Sequence, residues 1–266
     1  MTRIFQADAF TAEAFRGNPA GVVLLDDPRP PDWMQAVAME MSLAETAFVE
    51  LGAPGPLPLR WFSPTVEIPL CGHATLATAH ILWEQEVIDP GEAAVFTSAS
   101  GELRAHRDGD AIVLDFPAYP IDEQAEPPAA IRNLVGGLRG TALIDDLAGD
   151  RGWLLELESA AAVRAFRSDD AVLLAERVGL IVTARGGEES DIVSRCFFPA
   201  AGIPEDPVTG AAHCGLAPYW APRLGRTELT GYQASARGGI VGMRLDGDRV
   251  HLHGRAVTVL AGELLV

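Results

Sequence analysis

The sequence predicts a mixed α/β (α+β) protein in which one unit occurs twice. Three observations carry this. Apolar or alternating runs bounded by glycine and proline turns recur in both halves and read as strands. Each half then carries a stretch of small, apolar residues with no charged face, GHATLATAHILW at 72–83 and GAAHCGLAPYW at 210–220, as expected of helices buried all round. Shifting the chain by 135 residues pairs 60–79 with 195–214 and matches six positions: Arg60/Arg195, Phe62/Phe197, Pro64/Pro199, Ile68/Ile203, Pro69/Pro204 and Ala77/Ala212.

The elements follow in order. RIFQADAF alternates as a strand, FRGNPAG is turn-prone, and GVVLL is a second strand. PDWMQAVAMEM has helical spacing, with Pro31 near its start and Trp33, Val37 and Met41 on one side. AETAFVEL and LPLRWFS read as strands joined by the turn GAPGP, and SGELRAHRDGDAIVLDFPAYP as a hairpin about Asp108, Gly109 and Asp110. PIDEQAEPPAAIRNLVGGL is the best linker, because prolines and acids cluster where periodicity stops. VGLIVTARG and SDIVSRCFFP are strands of the second half, whereas RGGIVGMRL reads only as a turn between strands. The expected division is an N-terminal lobe over 1–117, which a closing strand at about 255–266 is a candidate to join, and a C-terminal lobe over 118–254.

Composition narrows the function. With 20 Lys+Arg against 37 Asp+Glu, the net charge of −17 argues against a nucleic-acid partner. No apolar run reaches the roughly 18 residues of a membrane helix, and the N-terminus lacks a signal peptide's apolar core. Three cysteines at spacings that fit neither a disulfide framework nor a zinc site point to a reducing, cytoplasmic setting.

Several residues are candidates for chemistry, each beside a plainer reading. The repeat sets Cys71 opposite Asp206, and sites in two-lobed proteins usually lie between the lobes. Gly72 and Gly210 open the two apolar helices, whose N-termini favour a carboxylate or oxyanion, although water can serve them too. Cys71 reads as a thiolate or as a small buried hydrophobe. Glu45 reads as a proton carrier in an apolar cleft, as a solvent-facing strand residue, or as the end of a capping box from Ser42. Asp206 reads as a site carboxylate or a turn residue. His73 sits in the first helical turn beside the anion position. His73 and His80 lie about 10.5 Å apart along the axis, too far to share a metal. His213 reads as a core residue, and His251 with His253 as a solvated pair.

Together, DAFTAEAFRGNPAGVV, MSLAETAFVE, RWFSPTVEIPLCGHATLA, GIPEDPVTGAAH and GRAVTVLAGEL resemble the PhzF-like family of phenazine-biosynthesis isomerases. That resemblance implies a diaminopimelate epimerase-like fold: two pseudo-symmetric lobes, each a curved, barrel-like sheet around a central helix, with the site between them and homodimers common. It also implies acid/base chemistry on a small carboxylate with neither metal nor cofactor. In the phenazine enzyme a glutamate moves a proton between carbons of a dihydro-hydroxyanthranilate, and Glu45 holds that place here. His73 and Asp206 would position and polarise the substrate; Gly72, Thr209, Gly210, Ala211 and Cys71 would line its binding site. Ala211 stands where the phenazine enzymes carry a serine, and Cys71 sits where racemase relatives carry a thiol. The competing readings are a racemase or epimerase using Cys71, and a non-catalytic metabolite-binding protein.

Overall fold

The computed structural model describes residues 1–266 apart from 53–54 and 148–149, so part of the expected turn GAPGP lies outside the described residues. The chain divides into two units, Met1–Asp115 with His253–Val266, and Phe116–Leu252.

The first unit runs β1 (Thr2–Ala9), β2 (Asn18–Leu25), α1 (Pro31–Met41), β3 (Glu45–Glu50), β4 (Leu57–Phe62), β5 (Glu67–Ile68), α2 (Gly72–Glu84), β6 (Ala94–Ser98), β7 (Gly101–Asp108) and β8 (Ala111–Pro117). The hairpin forms as its turn residues require, pairing Asp108 with Ala111. Helix α1 starts with Pro31 at its first position and buries Met34, Val37 and Ala38 against Phe48 and Phe62. Ser42 closes this helix in a left-handed conformation rather than opening a capping box. Helix α2 packs against β1, β2, β3 and β7, with ten of its 13 residues buried. Its buried hydroxyls are satisfied internally: Thr75 Oγ1 donates to the Cys71 carbonyl at 2.6 Å and Thr78 Oγ1 to that of Ala74 at 2.7 Å.

The second unit runs α3 (Ala129–Arg132), β9 (Gly140–Leu147), β10 (Asp150–Glu156), α4 (Ala160–Ala165), α5 (Asp170–Glu176), β11 (Gly179–Arg185), β12 (Ile192–Phe198), β13 (Ile203–Asp206), α6 (Gly210–Leu224), β14 (Glu228–Gln233), β15 (Gly239–Asp246) and β16 (Arg249–Gly254). Then β17 (Ala256–Leu264) pairs antiparallel with β1. The stretch expected to be a linker is packed: it carries α3, and Ile131 is fully buried among Leu155, Val163 and Leu173. RGGIVGMRL corrects the turn reading, because 239–245 is strand, with Val241 and Met243 alternating inward between glycines that hid the period. Helix α6 contains Pro218 and still stays buried; the Cys214 carbonyl that Pro218 leaves without a helical donor accepts from the Tyr119 N–H at 3.1 Å.

Strand by strand, the units repeat one topology. In the first, β2 pairs parallel with β3, β3 antiparallel with β4, β4 antiparallel with β5 and parallel with β6. In the second, β10 pairs parallel with β11, β11 antiparallel with β12, β12 antiparallel with β13 and parallel with β14. Helices α2 and α6 fall at the same step of each. The repeat seen in 20 residues therefore extends through both units, and the α/β fold expected from sequence is the fold observed.

Candidate functional site

In the first unit the site grows from three adjoining pieces of chain. Glu45 is the first residue of β3, where parallel pairing sets it beside Ala20 of β2 and buries it. Asn18 opens β2, and Cys71 and His73 flank the start of α2. His73 Nε2 lies 3.2 Å from Glu45 Oε2, off the line of a good hydrogen bond, so this nitrogen keeps capacity for another partner. Its Nδ1 lies 3.3 Å from Asn18 Nδ2 and 3.5 Å from Cys71 Sγ. Rotation of the Asn18 amide lets it serve that nitrogen as donor or acceptor.

Electrostatics separates the roles. Burial pushes the Cys71 thiol up, against the pull of His73. Burial also opposes charge on His73, but Cys71 and Glu45 outweigh it and hold the ring well above its ordinary value. Donor atoms of Glu45, Cys71 and His73 all lie within 4.8 Å of one another, so this trio is where, among the described residues, a metal ion could be held. The same closeness lets protons pass between them.

In the second unit, β13 ends on buried Asp206, and Thr209 is the extended N-cap of α6. Thr209 Oγ1 donates to Asp206 Oδ2 at 2.5 Å, and the Thr209 N–H donates to Gln233 Oε1 at 2.8 Å. Gln233 Nε2 donates to the Asp206 carbonyl at 2.8 Å and to Thr209 Oγ1 at 3.1 Å. His213 Nδ1 lies 2.7 Å from the Thr209 carbonyl, and burial lowers this histidine to about 4, so it is a neutral core residue. Neither α2 nor α6 has a side-chain hydrogen bond at its N-cap, which leaves first-turn amides at Gly72 and Gly210 open to an outside acceptor. Ala211 is half-buried in that first turn of α6.

The structure thus brings Glu45, Cys71 and His73 together in the first unit, and Asp206, Thr209, Gly210 and Ala211 together in the second. Sequence reasoning missed Asn18 and Gln233. Asn18 lies in the turn-prone FRGNPAG, and the inward direction of Gln233 shows only in the alternating burial of β14.

The repeated unit around a buried helix defines a fold class that includes a protein from Pseudomonas aeruginosa described as a predicted epimerase. That protein matches with a TM-score of 0.76 over 100% of both chains, at 21% identity, a likeness of fold alone. A crystal structure of a PhzF-family phenazine biosynthesis protein from Enterococcus faecalis matches with a TM-score of 0.92 and 37% identity, over 100% of this chain and 99% of that one. A protein of Halalkalibacterium halodurans named an uncharacterized isomerase is 45% identical over 273 residues, spanning 100% of this chain and 99% of its own. The family model described as "Phenazine biosynthesis-like protein" matches residues 7–262. The chain belongs to the PhzF (PhzC-PhzF) phenazine biosynthesis-like family, as its motifs indicated.

Proposed function

We propose that this protein is an isomerase that moves a proton within a small carboxylate-bearing metabolite by acid/base catalysis, without a cofactor. The observation that carries the reading is the buried Glu45 carboxylate 3.2 Å from His73 Nε2. A carboxylate kept from bulk water can take a proton from carbon and hold it long enough to return it. His73 steadies the charge as Glu45 cycles, and Asp206, held by Thr209, supplies a second polar group to orient the substrate. Uncapped amides at Gly72 and Gly210 suit its carboxylate. Relatives in Halalkalibacterium halodurans and Pseudomonas aeruginosa named as uncharacterized isomerases support the class of reaction.

The test is a panel of small unsaturated and α-substituted carboxylates, 2,3-dihydro-3-hydroxyanthranilate among them, followed by NMR in D2O. The wild type takes deuterium into at least one, and Glu45→Gln abolishes it. Uptake at the wild-type rate in Glu45→Gln contradicts the proposal. The racemase reading predicts the reverse, with loss in Cys71→Ser and retention in Glu45→Gln.

A further inference from the structure

The geometry points to Gln233 as a positioning residue that sets the direction of the hydrogen-bond chain ending on Asp206. The inference rests on the reading of Asp206 as a site carboxylate and adds the residue that orients it.

Gln233 is fully buried on β14, 27 residues beyond Asp206, and its amide has no choice of orientation. Its oxygen must accept, because the group facing it is the Thr209 N–H at 2.8 Å. Its nitrogen is therefore a donor, and it faces two oxygens, the Asp206 carbonyl at 2.8 Å and Thr209 Oγ1 at 3.1 Å. Once Thr209 Oγ1 accepts from Gln233, its own proton is directed elsewhere, and Asp206 Oδ2 stands 2.5 Å away. The polarity runs one way, from Gln233 through the Thr209 hydroxyl to the carboxylate.

Two consequences follow. The Thr209 hydroxyl proton and backbone N–H are both committed inside the protein, so the amides that meet a ligand at this helix start at Gly210. The carboxylate also receives a fixed donor on Oδ2, which favours its ionised form.

The test reads Asp206 directly, with no turnover required. Protein carrying 13C at the aspartate carboxyl carbons is titrated by NMR, with Asp206→Asn identifying the resonance, and amide hydrogen exchange is followed along α6. In Gln233→Met the Asp206 midpoint rises by about one pH unit, the size of a weakened hydrogen bond to a charged group. The residue 209 amide exchanges at least about tenfold faster relative to the rest of α6. In Thr209→Val the midpoint rises equally while the residue 209 amide stays protected, because Gln233 Oε1 still accepts from it. An unmoved Asp206 midpoint in either variant overturns the inference, as does a uniform rise in exchange across α6 in Gln233→Met. Should Gln233→Met fail to fold, Thr209→Val decides alone. Full turnover in Asp206→Asn would sink the functional reading while leaving this chain of hydrogen bonds intact.

Discussion

Removing Arg195 should cost several times more stability than removing Arg60, although both make the same contact. Each arginine stands on a long strand, β4 or β12, and forks onto a glutamate of the short strand that lies between it and the site helix. Arg60 Nε and Nη2 reach Glu67 at 2.7 and 2.8 Å, and Arg195 Nε and Nη2 reach Glu205 at 2.7 and 2.9 Å. Burial separates them. The side chains are 31% and 42% exposed in the first pair and 10% and 26% in the second. Arg195 Nη1 also donates to the carbonyls of Phe166 at 2.7 Å, Arg164 at 3.3 Å and Val163 at 3.4 Å, around the end of α4. An exposed pair contributes about 0.2–1 kcal/mol. Breaking a buried pair costs about 3–5 kcal/mol, and partial hydration of Glu205 places this one near the low end, about 3 kcal/mol. With a urea slope of about 2 kcal/mol/M, Arg195→Met lowers the unfolding midpoint by about 1.5 M and Arg60→Met by less than about 0.5 M. Tryptophan fluorescence reports both units, through Trp61 and Trp83 in one and Trp153 and Trp220 in the other. Equal midpoint losses would refute the argument from burial.

Three further outcomes follow from the buried titratable groups. His73 is raised above 6.5, so its contribution is fully present below pH 6.5 and is lost as pH climbs through the raised value. Urea midpoints measured from pH 6 upward should decline in the wild type and decline less steeply in Glu45→Gln. His213 has the opposite sign: lowered to about 4, it leaves stability intact above 6.5 and removes it as pH falls toward 4, a loss that His213→Gln should reduce in acid unfolding. Burial pushes all three thiols up, Cys214 to about 12, so a thiol reagent at pH 8 should react slowly with native protein and promptly at three sites in denaturant. Fast native reaction at Cys71 would revive the thiolate reading.

The fold was legible because its main signals are local. Strand alternation, the Asp-Gly hairpin turn and the two chargeless helices each follow from residues close in sequence. The linker reading failed because Pro127, Pro128 and the nearby acids look like breakers, while Ile131 docks into a core that only tertiary structure supplies. Half of the candidate site was legible on the same terms: Gly72 and His73 announce a helix start, and motif resemblance raised Glu45. The contact between Glu45 and His73 was not, since it depends on the pairing of β2 with β3 and on the packing of α2 against both, and no periodicity encodes either. Gln233 was invisible for a related reason, because a glutamine in a strand looks the same whether its amide meets water or a helix N-cap.

The central claim is that one carboxylate, Glu45, both takes and returns the proton. The most direct measurement uses a turned-over substrate deuterated at the carbon that loses hydrogen, converted in ordinary water and sampled at the earliest times. A single shuttling carboxylate, kept from bulk water, predicts that a measurable share of the deuterium appears at the acceptor carbon of the product. Complete loss of the label to solvent from the first time point, with inverted configuration at the original carbon, would contradict the account and favour two bases.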